Sequence, residues 1–204
     1  MKAVNLAAAL AVLSVLGSGA TTPAAAQFRT IKPAPKTWVT GWVGGYMDPG
    51  RVTDAASGNW HFGSAFAGGL GIHRQVGSGL ALGIDASFAP ASYERRGADN
   101  TLLAEGNARL VTAMISGRLR TGGHDSFGMY LTGGAGAFVY GIPELDRWDP
   151  DLALHTGAGL EYRPARDKAL FVEWGRYWTF HQKEGIRDNT TKHSQIRIGG
   201  RVGL

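Results

Sequence analysis

The sequence predicts an all-β fold, an eight-stranded antiparallel up-and-down β-barrel that crosses a membrane. Eight segments alternate apolar and polar residues with a period of two over about ten residues, the length that a tilted transmembrane strand needs. The connections between them are alternately short and long, as in transmembrane barrels. The chain also opens on a segment of the export type.

The first 36 residues precede the predicted barrel. Met1 and Lys2 supply a positive start, an apolar run covers 6–16, and Ala24 to Ala26 form a small-residue cleavage site. This order predicts a signal peptide over residues 1–26 that is cleaved before Gln27. Residues 27–36 contain two prolines and predict an irregular lead-in. The barrel is then expected over residues 37–204.

The predicted strands follow in order from residue 37. In the first, Trp38, Trp42 and Tyr46 share one face, and the third shows the clearest alternation. The fifth is the least regular, because its glycines and alanines fall on both faces. The predicted strands are 37–47, 60–73, 79–90, 107–120, 127–140, 151–162, 169–180 and 194–204.

The connections indicate how the strands are arranged. Short links at 74–78, 121–126 and 163–168 alternate with long links at 48–59, 91–106, 141–150 and 181–193. Transmembrane barrels have short turns on one side of the membrane and longer loops on the other. An even number of strands therefore places both ends of the barrel on the side of the short turns.

Composition limits the classes of function. There is no cysteine, which excludes disulfides and thiol chemistry. Glycine accounts for 31 of 204 residues and is spread through the alternating segments, as expected where strands bend or approach closely. The net charge is +5, and the basic residues stand singly or in pairs, so no nucleic-acid partner is predicted.

The polar faces of the strands are expected to point inward, because an eight-stranded barrel fills its interior with side chains. The acidic and basic residues of these faces balance, as a buried network requires. The predicted lumen network consists of Asp85, Arg118, His155, Glu161, Glu173, Arg197 and Arg201.

Aromatic residues near the strand ends predict two belts at the membrane interfaces. Trp38 and Tyr162 fall at the ends with short turns. The belt on the long-loop side is predicted from Tyr46, Trp60, Phe88, Tyr140, Trp178 and Phe180.

The closing strand carries a resemblance to a known family. Arg197, Gly199, Val202 and Leu204 lie in an alternating stretch that runs to the last residue. This stretch resembles the C-terminal signal by which outer-membrane barrels are recognised for assembly, although Leu204 stands where the family usually has an aromatic residue. The chain from 37 onward resembles the small outer-membrane β-barrels that include the OmpA barrel domain, OmpX and the opacity-type proteins.

The resemblance implies an outer-membrane location, contact with outer-membrane lipid and lipopolysaccharide, and insertion by the barrel-assembly machinery. We expect a monomer without a cofactor or a metal site. Arg176 shares the apolar face of its strand and is expected either to contact a lipopolysaccharide phosphate or to turn inward at a bulge.

The predicted function is that of a non-enzymatic surface protein with a structural, adhesive or protective role exerted through its loops. The alternative is a lipid-A-modifying enzyme. In the deacylases of this fold a His-x-Ser pair acts with a glutamate, but here Lys183 stands where serine belongs, and the adjacent His193 and Ser194 point to opposite faces. A third possibility is a soluble periplasmic barrel that binds an apolar ligand.

Overall fold

The computed structural model describes residues 36–47, 51–54, 58–121, 126–142, 147–181 and 190–204. The predicted signal peptide and all but the last residue of the predicted lead-in lie outside the described residues. None of the described residues form a helix long and apolar enough to cross a membrane.

The described chain forms strands that all pair in antiparallel fashion. Eight of them, β1 and β4–β10, form a closed barrel, and the predicted fold class is therefore confirmed. The strands are β1 (Thr37–Met47), β2 (Arg51–Asp54), β3 (Gly58–Phe62), β4 (Ala65–Gln75), β5 (Leu80–Arg96), β6 (Leu102–Thr121), β7 (Phe127–Ile142), β8 (Arg147–Ala165), β9 (Lys168–Phe180) and β10 (Thr190–Gly203).

The strand register fixes the tilt of the barrel wall. A path across hydrogen-bonded partners from Met47 passes Ser194, Arg176, Thr156, Gly133, Gly117, Leu82 and Arg74. It returns to β1 at Thr37. One circuit around the barrel therefore shifts the position on β1 by ten residues, from 47 to 37, which gives a shear number of ten. With eight strands this shear corresponds to a tilt of about 40°, within the usual range for barrels.

An interruption divides the predicted strand at 60–73 into β3 and β4. Gly63 and Ser64 lie between the two strands, and the Gly63 amide donates a hydrogen bond to the Ser92 carbonyl at 2.9 Å. The two intervening residues change which positions face inward. Trp60 and Phe62 are buried before the break, whereas Phe66 is exposed after it.

The wall is taller on the side of β5 and β6 than the sequence predicts. The expected long connection at 91–106 is wrong, because β5 runs to Arg96, β6 starts at Leu102, and only residues 97–101 connect them. The alternation of small inward residues, with Ala89, Ala91 and Ala108 buried, continues through this region and carries the ladder onward. The β2–β3 hairpin pairs with the end of β5 and widens this extension.

Asn100 closes the turn of this extension. It has a positive φ of 66°, and its amide donates to the Gly97 carbonyl at 3.0 Å; asparagine tolerates this conformation better than most residues. The side chain of the exposed Asp99 accepts hydrogen bonds from the hydroxyl and amide of Thr101, which lower the pKa of Asp99.

The two faces of the barrel differ in chemistry. The outward face is apolar, as shown by the exposure of Leu70, Ile84, Ile115, Leu131, Trp174 and Ile198. The inward face carries the buried charges together with a set of aromatic rings. Trp38, Trp42 and Tyr46 of β1 belong to the inward set.

Candidate functional site

The interior of the barrel holds the charged residues, and Glu173 of β9 lies at the centre of one group. Its carboxylate is 2.5 Å from Arg197 of β10, 3.7 Å from Arg118 of β6 and 3.8 Å from His155 of β8. The register places Arg197 directly opposite Glu173 across the β9–β10 pair. One buried carboxylate thus joins β6, β8, β9 and β10.

Glu161 of β8 is the second acidic centre, nearer the short turns. Its carboxylate contacts Arg201, lies 3.9 Å from Arg118 and 3.4 Å from Arg120, and accepts a hydrogen bond from Arg163 at 2.6 Å. The Arg118 guanidinium also lies 3.4 Å from the centre of the Tyr130 ring. Ion pairs and cation–π contacts therefore fill the turn-side half of the barrel.

A third polar group lies on the opposite wall. His73 of β4 is 3.1 Å from Asp85 of β5 and 3.0 Å from the Ser116 hydroxyl of β6, and that hydroxyl also donates to Asp85. Buried polar groups without such partners destabilise a fold. This group connects β4, β5 and β6 on the side of the barrel away from Glu173.

The loop-side half of the interior is filled by rings. Tyr46 packs edge-on against Phe138 at 5.7 Å and against Tyr177 at 5.8 Å, and Phe138 stacks on His193 at 4.7 Å. Tyr46 also forms a hydrogen bond with the Ser87 hydroxyl at 3.1 Å. We call Tyr46, Phe138, Tyr177 and His193 the aromatic plug.

A buried polar chain lies beside the aromatic plug. Nδ1 of His181 is 2.6 Å from Oδ2 of Asp151, and Nε2 of the same ring is 2.7 Å from the Thr191 hydroxyl. Carboxylate oxygens accept hydrogen bonds, so Nδ1 donates to Asp151, while Nε2 is bonded to the Thr191 hydroxyl.

Carboxylate, histidine and hydroxyl in this order are the components of an activated nucleophile. However, Thr191 is only 2% exposed and is packed into the filled interior. We therefore infer that this chain of hydrogen bonds helps to fill the interior of the barrel.

The seven residues of the predicted lumen network all face inward. Arg118, His155, Glu161, Glu173, Arg197 and Arg201 lie in one connected set of contacts, whereas Asp85 pairs with His73 on the opposite wall. The predicted site residues did not include His73, Arg120, Tyr130, Ser116 or the Asp151–His181–Thr191 chain. The first four could have been predicted from the alternation of their strands, because each of them lies on the same face as the inward-facing residues.

The predicted aromatic belts need correction at four positions, because Trp38, Tyr46, Trp60 and Tyr140 are buried inside the barrel. Between its end residues Thr37 and Met47, the β1 face opposite Trp38 and Tyr46 consists of valine and glycine, so hydrophobicity does not show which face meets lipid. Trp60 precedes the break at Gly63 and packs on Tyr93 at 5.5 Å. Tyr140 has the inward parity of Phe138 and bonds to Thr179 at 3.0 Å and to His193 at 2.5 Å.

The remaining belt positions lie on the outward face. Phe88 and Tyr162 are exposed, and Trp178 and Phe180 are half-buried. Arg176 is half-buried with outward parity between Trp174 and Trp178. The β9–β10 and β8–β9 pairings show no register shift at Arg176, so the alternative prediction, an inward turn at a bulge, is wrong.

Of the closing residues, Arg197, Gly199 and Val202 lie in β10, which ends at Gly203, one residue before Leu204. Arg197 points inward, and a side chain at Gly199 would collide with Trp42 and Phe171. Leu204 is 76% exposed, and its amide donates to the Thr37 carbonyl at 2.8 Å. Recognition of this stretch by assembly machinery stays a prediction.

Among the described residues, no group of three or more histidine, aspartate or glutamate side chains is placed to hold a metal ion. Three aspartates, Asp146, Asp149 and Asp151, lie close together in the sequence after β7. Asp151 is buried and bound to His181, and Asp146 lies outside the described residues.

Comparison with solved structures identifies the architecture. Neisserial surface protein A superposes with a TM-score of 0.57 at 13% identity, covering 85% of this chain and 100% of its own. This chain has the fold of the small outer-membrane β-barrels. OprG of Pseudomonas aeruginosa matches this barrel with a TM-score of 0.59 at 10% identity, covering 84% of this chain and 97% of its own. The outer membrane protein AlkL matches with a TM-score of 0.51 at 12% identity, covering 91% and 96%.

No family model matches the chain, and no curated protein matches it. At these identities the solved structures establish the fold alone.

Proposed function

We propose that the chain is a non-enzymatic surface protein of a bacterial outer membrane, inserted as a monomer. The observation that carries this proposal is the division between an apolar outward face and an interior filled by ion pairs and rings. Such a barrel is stable in lipid and offers its loop side to the exterior. A structural, adhesive or protective role would then reside in the loop-side residues.

The comparisons support the setting. One of the matched proteins is named as a surface protein and another as an outer membrane protein. The predicted signal peptide supplies the export that this location requires, and the closing strand supplies a stretch for the assembly machinery to recognise.

The geometry favours this proposal over a soluble ligand-binding barrel. A carrier of apolar ligands needs a cavity lined by apolar residues. The described interior instead contains Glu161, Glu173 and their arginine partners, together with the aromatic plug. The exposed outward face would also be an unusually large apolar patch for a soluble monomer.

The geometry likewise does not favour a lipid-A-modifying enzyme. His193 is buried in the interior, whereas Ser194 of the same strand has outward parity, so the pair is separated by the wall. Chemical analysis of lipid A from cells with and without the protein tests this alternative directly. An altered acyl pattern would overturn the non-enzymatic proposal.

Site-directed labelling tests location and orientation together, because the wild-type chain has no cysteine. Ala98 lies in the exposed turn between β5 and β6, and Arg166 lies in the exposed turn between β8 and β9. In intact cells a membrane-impermeant maleimide should label Ala98→Cys and leave Arg166→Cys unlabelled until the outer membrane is permeabilised. Equal labelling of both variants in intact cells, or of neither after permeabilisation, would contradict the proposal.

A further inference from the structure

The lipid-facing surface of β9 and β10 contains two basic residues. Along β9 the outward positions are Leu170, Val172, Trp174, Arg176, Trp178 and Phe180, so one cation interrupts an apolar row. On β10, Lys192 is exposed, and Ser194 follows it on the same face. A charge on the lipid face costs about 2–4 kcal/mol at the midplane and less near the interface, so a charge that is kept there calls for a partner.

The register brings these residues together. Arg176 lies directly opposite Ser194 on one side and Thr156 of β8 on the other. Lys192 lies opposite Trp178, which makes Lys192 the diagonal neighbour of Arg176. Diagonal neighbours lie roughly 7–8 Å apart, within reach of two long side chains that bind one ligand. Arg176, Lys192, Thr156 and Ser194 form what we call the cationic row.

The two cations have no acidic partner within the described part of the protein. The ion pairs among the described residues involve the arginines and histidines of the lumen and the Glu94–Arg96 pair of the loop-side extension. Nε of Arg176 is buried and has no hydrogen-bond partner among the residues that the structure describes. A buried donor on a cation without a bond is unfavourable unless a ligand supplies the acceptor.

The position of the cationic row indicates the depth of that ligand. Arg176 precedes Phe180, the last residue of β9, by four positions. At ~3.3 Å per residue and a tilt of about 40°, Arg176 lies about 10 Å from the loop-side end of the strand. Arginine and lysine extend their charged ends toward the interface, so both charges reach the headgroup level of the loop-side leaflet.

We propose that the cationic row binds a phosphate group of the glycolipid in the outer leaflet, of the lipid A type. Guanidinium binds phosphate in a bidentate manner, ammonium adds a second positive charge, and the hydroxyls of Thr156 and Ser194 add donors. This proposal rests on the outer-membrane orientation proposed above, because the loop side must face the leaflet that contains the glycolipid.

Native mass spectrometry of the protein in nanodiscs tests the site. The nanodiscs contain phosphatidylcholine with titrated diphosphoryl lipid A, and the variants are Arg176→Gln, Lys192→Gln and both together. The control is Arg74→Gln, since Arg74 is an exposed cation at the turn-side end of β4. Heat-modifiable migration on a gel verifies that each variant is folded before measurement.

We expect the apparent dissociation constant for lipid A to rise about fivefold in each single variant and about 25-fold in the double variant, at ~1 kcal/mol per cation. Arg74→Gln should bind as the wild type does. Lipid A from which both phosphates have been removed should bind to the wild type no better than to the double variant.

Three results would overturn the proposal. The first is retention of wild-type affinity by the double variant. The second is equal binding of phosphatidylglycerol, which would make the site one for any anionic lipid. The third is displacement of lipid A by millimolar inorganic phosphate, which would make it a site for the free anion. The labelling experiment on Ala98 and Arg166 reports on orientation in the cell, so failure of either proposal is distinguishable from failure of the other.

Discussion

Glu173 shows how single residues hold the interior together. It is 1% exposed and lies against Arg118, His155 and Arg197, so its charge compensates a cluster of basic groups. Truncating one member of such a buried set leaves the others uncompensated in a medium of low dielectric constant. The interior therefore depends on the balance of charge more than on any one contact.

Removing this charge should be costly. We expect Glu173→Gln to lower the free energy of unfolding by about 3–5 kcal/mol, the range for a broken buried ion pair. Urea unfolding of the protein in lipid vesicles, followed by tryptophan fluorescence, measures the change. The matched control is Asp167→Asn in the exposed β8–β9 turn, which should stay within about 0.5 kcal/mol. Equal stability of the two variants would contradict the role given to the network.

Glycine makes room for a large ring at one residue pair. Gly69 of β4 lies opposite Trp42 of β1, and a Cβ atom at Gly69 would collide with the Trp42 ring. At Gly68, the neighbouring position, the nearest atom to a Cβ would be the Trp42 carbonyl oxygen at an ordinary 3.8 Å.

We therefore expect Gly69→Ala to destabilise the barrel by about 1–3 kcal/mol, the range for overpacking. Gly68→Ala should leave stability nearly unchanged. The same unfolding measurement in vesicles compares the two variants. A larger loss for Gly68→Ala than for Gly69→Ala would show that Trp42 points outward.

Strands differ in how much of their orientation the sequence determines. In the first parts of β5 and of β9, large apolar residues alternate with a single acidic residue, so the inward side of Asp85 and Glu173 was predictable from alternation alone. In β1, neither face carries a charge, and the larger rings point inward because Gly69 and Gly199 on neighbouring strands leave space for Trp42. That space is a property of the register between strands and is not visible in any one segment.

The strand break after β3 shows a second limit of the sequence. Gly63 and Ser64 mark an irregularity in the sequence. The number of residues left unpaired between the two strands decides whether odd-numbered or even-numbered positions face inward after the break. Phe62 is therefore buried whereas Phe66 is exposed, although both have even numbers. The eight-strand count was predictable because it depends on the length and period of the segments rather than on this detail.

The seam between the first and last strands permits a test of register. Val43 and Ile198 are directly opposite each other in the β1–β10 pair, with outward parity. Directly opposed residues have Cβ atoms about 4.5–5.5 Å apart, close to what a disulfide spans. We expect Val43→Cys with Ile198→Cys to crosslink under mild oxidation, detected as a mobility shift on a denaturing gel.

The pair Val43→Cys with Ile196→Cys is the control, because Ile196 is a diagonal neighbour and stands too far away. Crosslinking of the control in preference to the first pair would mean that the seam is displaced by two residues.

At the scale of the whole molecule, the ion pairs and the aromatic plug fill the interior in two layers. Arg118, Glu161 and Glu173 occupy the turn-side half, and Tyr46, Phe138 and Tyr177 the loop-side half. An eight-stranded barrel leaves little room beyond its side chains. The barrel is therefore a cylinder whose described interior is filled by side chains.

This filling predicts low permeability. Liposomes that contain the folded protein should not swell in an isotonic solution of arabinose, because a sugar cannot pass the two layers. Liposomes with a large general porin serve as the positive control. Swelling at a comparable rate would contradict closure of the interior.

Electron paramagnetic resonance shows which face of a strand meets lipid and which face lines the interior of the barrel. Nitroxides are attached to single cysteines at Leu82, Ile84, Asp85 and Ala86 of β5 in lipid bilayers, and collisions with oxygen and with a water-soluble nickel chelate are measured. Positions 82, 84 and 86 should collide mainly with oxygen, and position 85 should be shielded from both reagents. Strong collisions with the nickel chelate at 85, with shielding at 82, 84 and 86, would mean that the polar face meets water and the apolar face is enclosed.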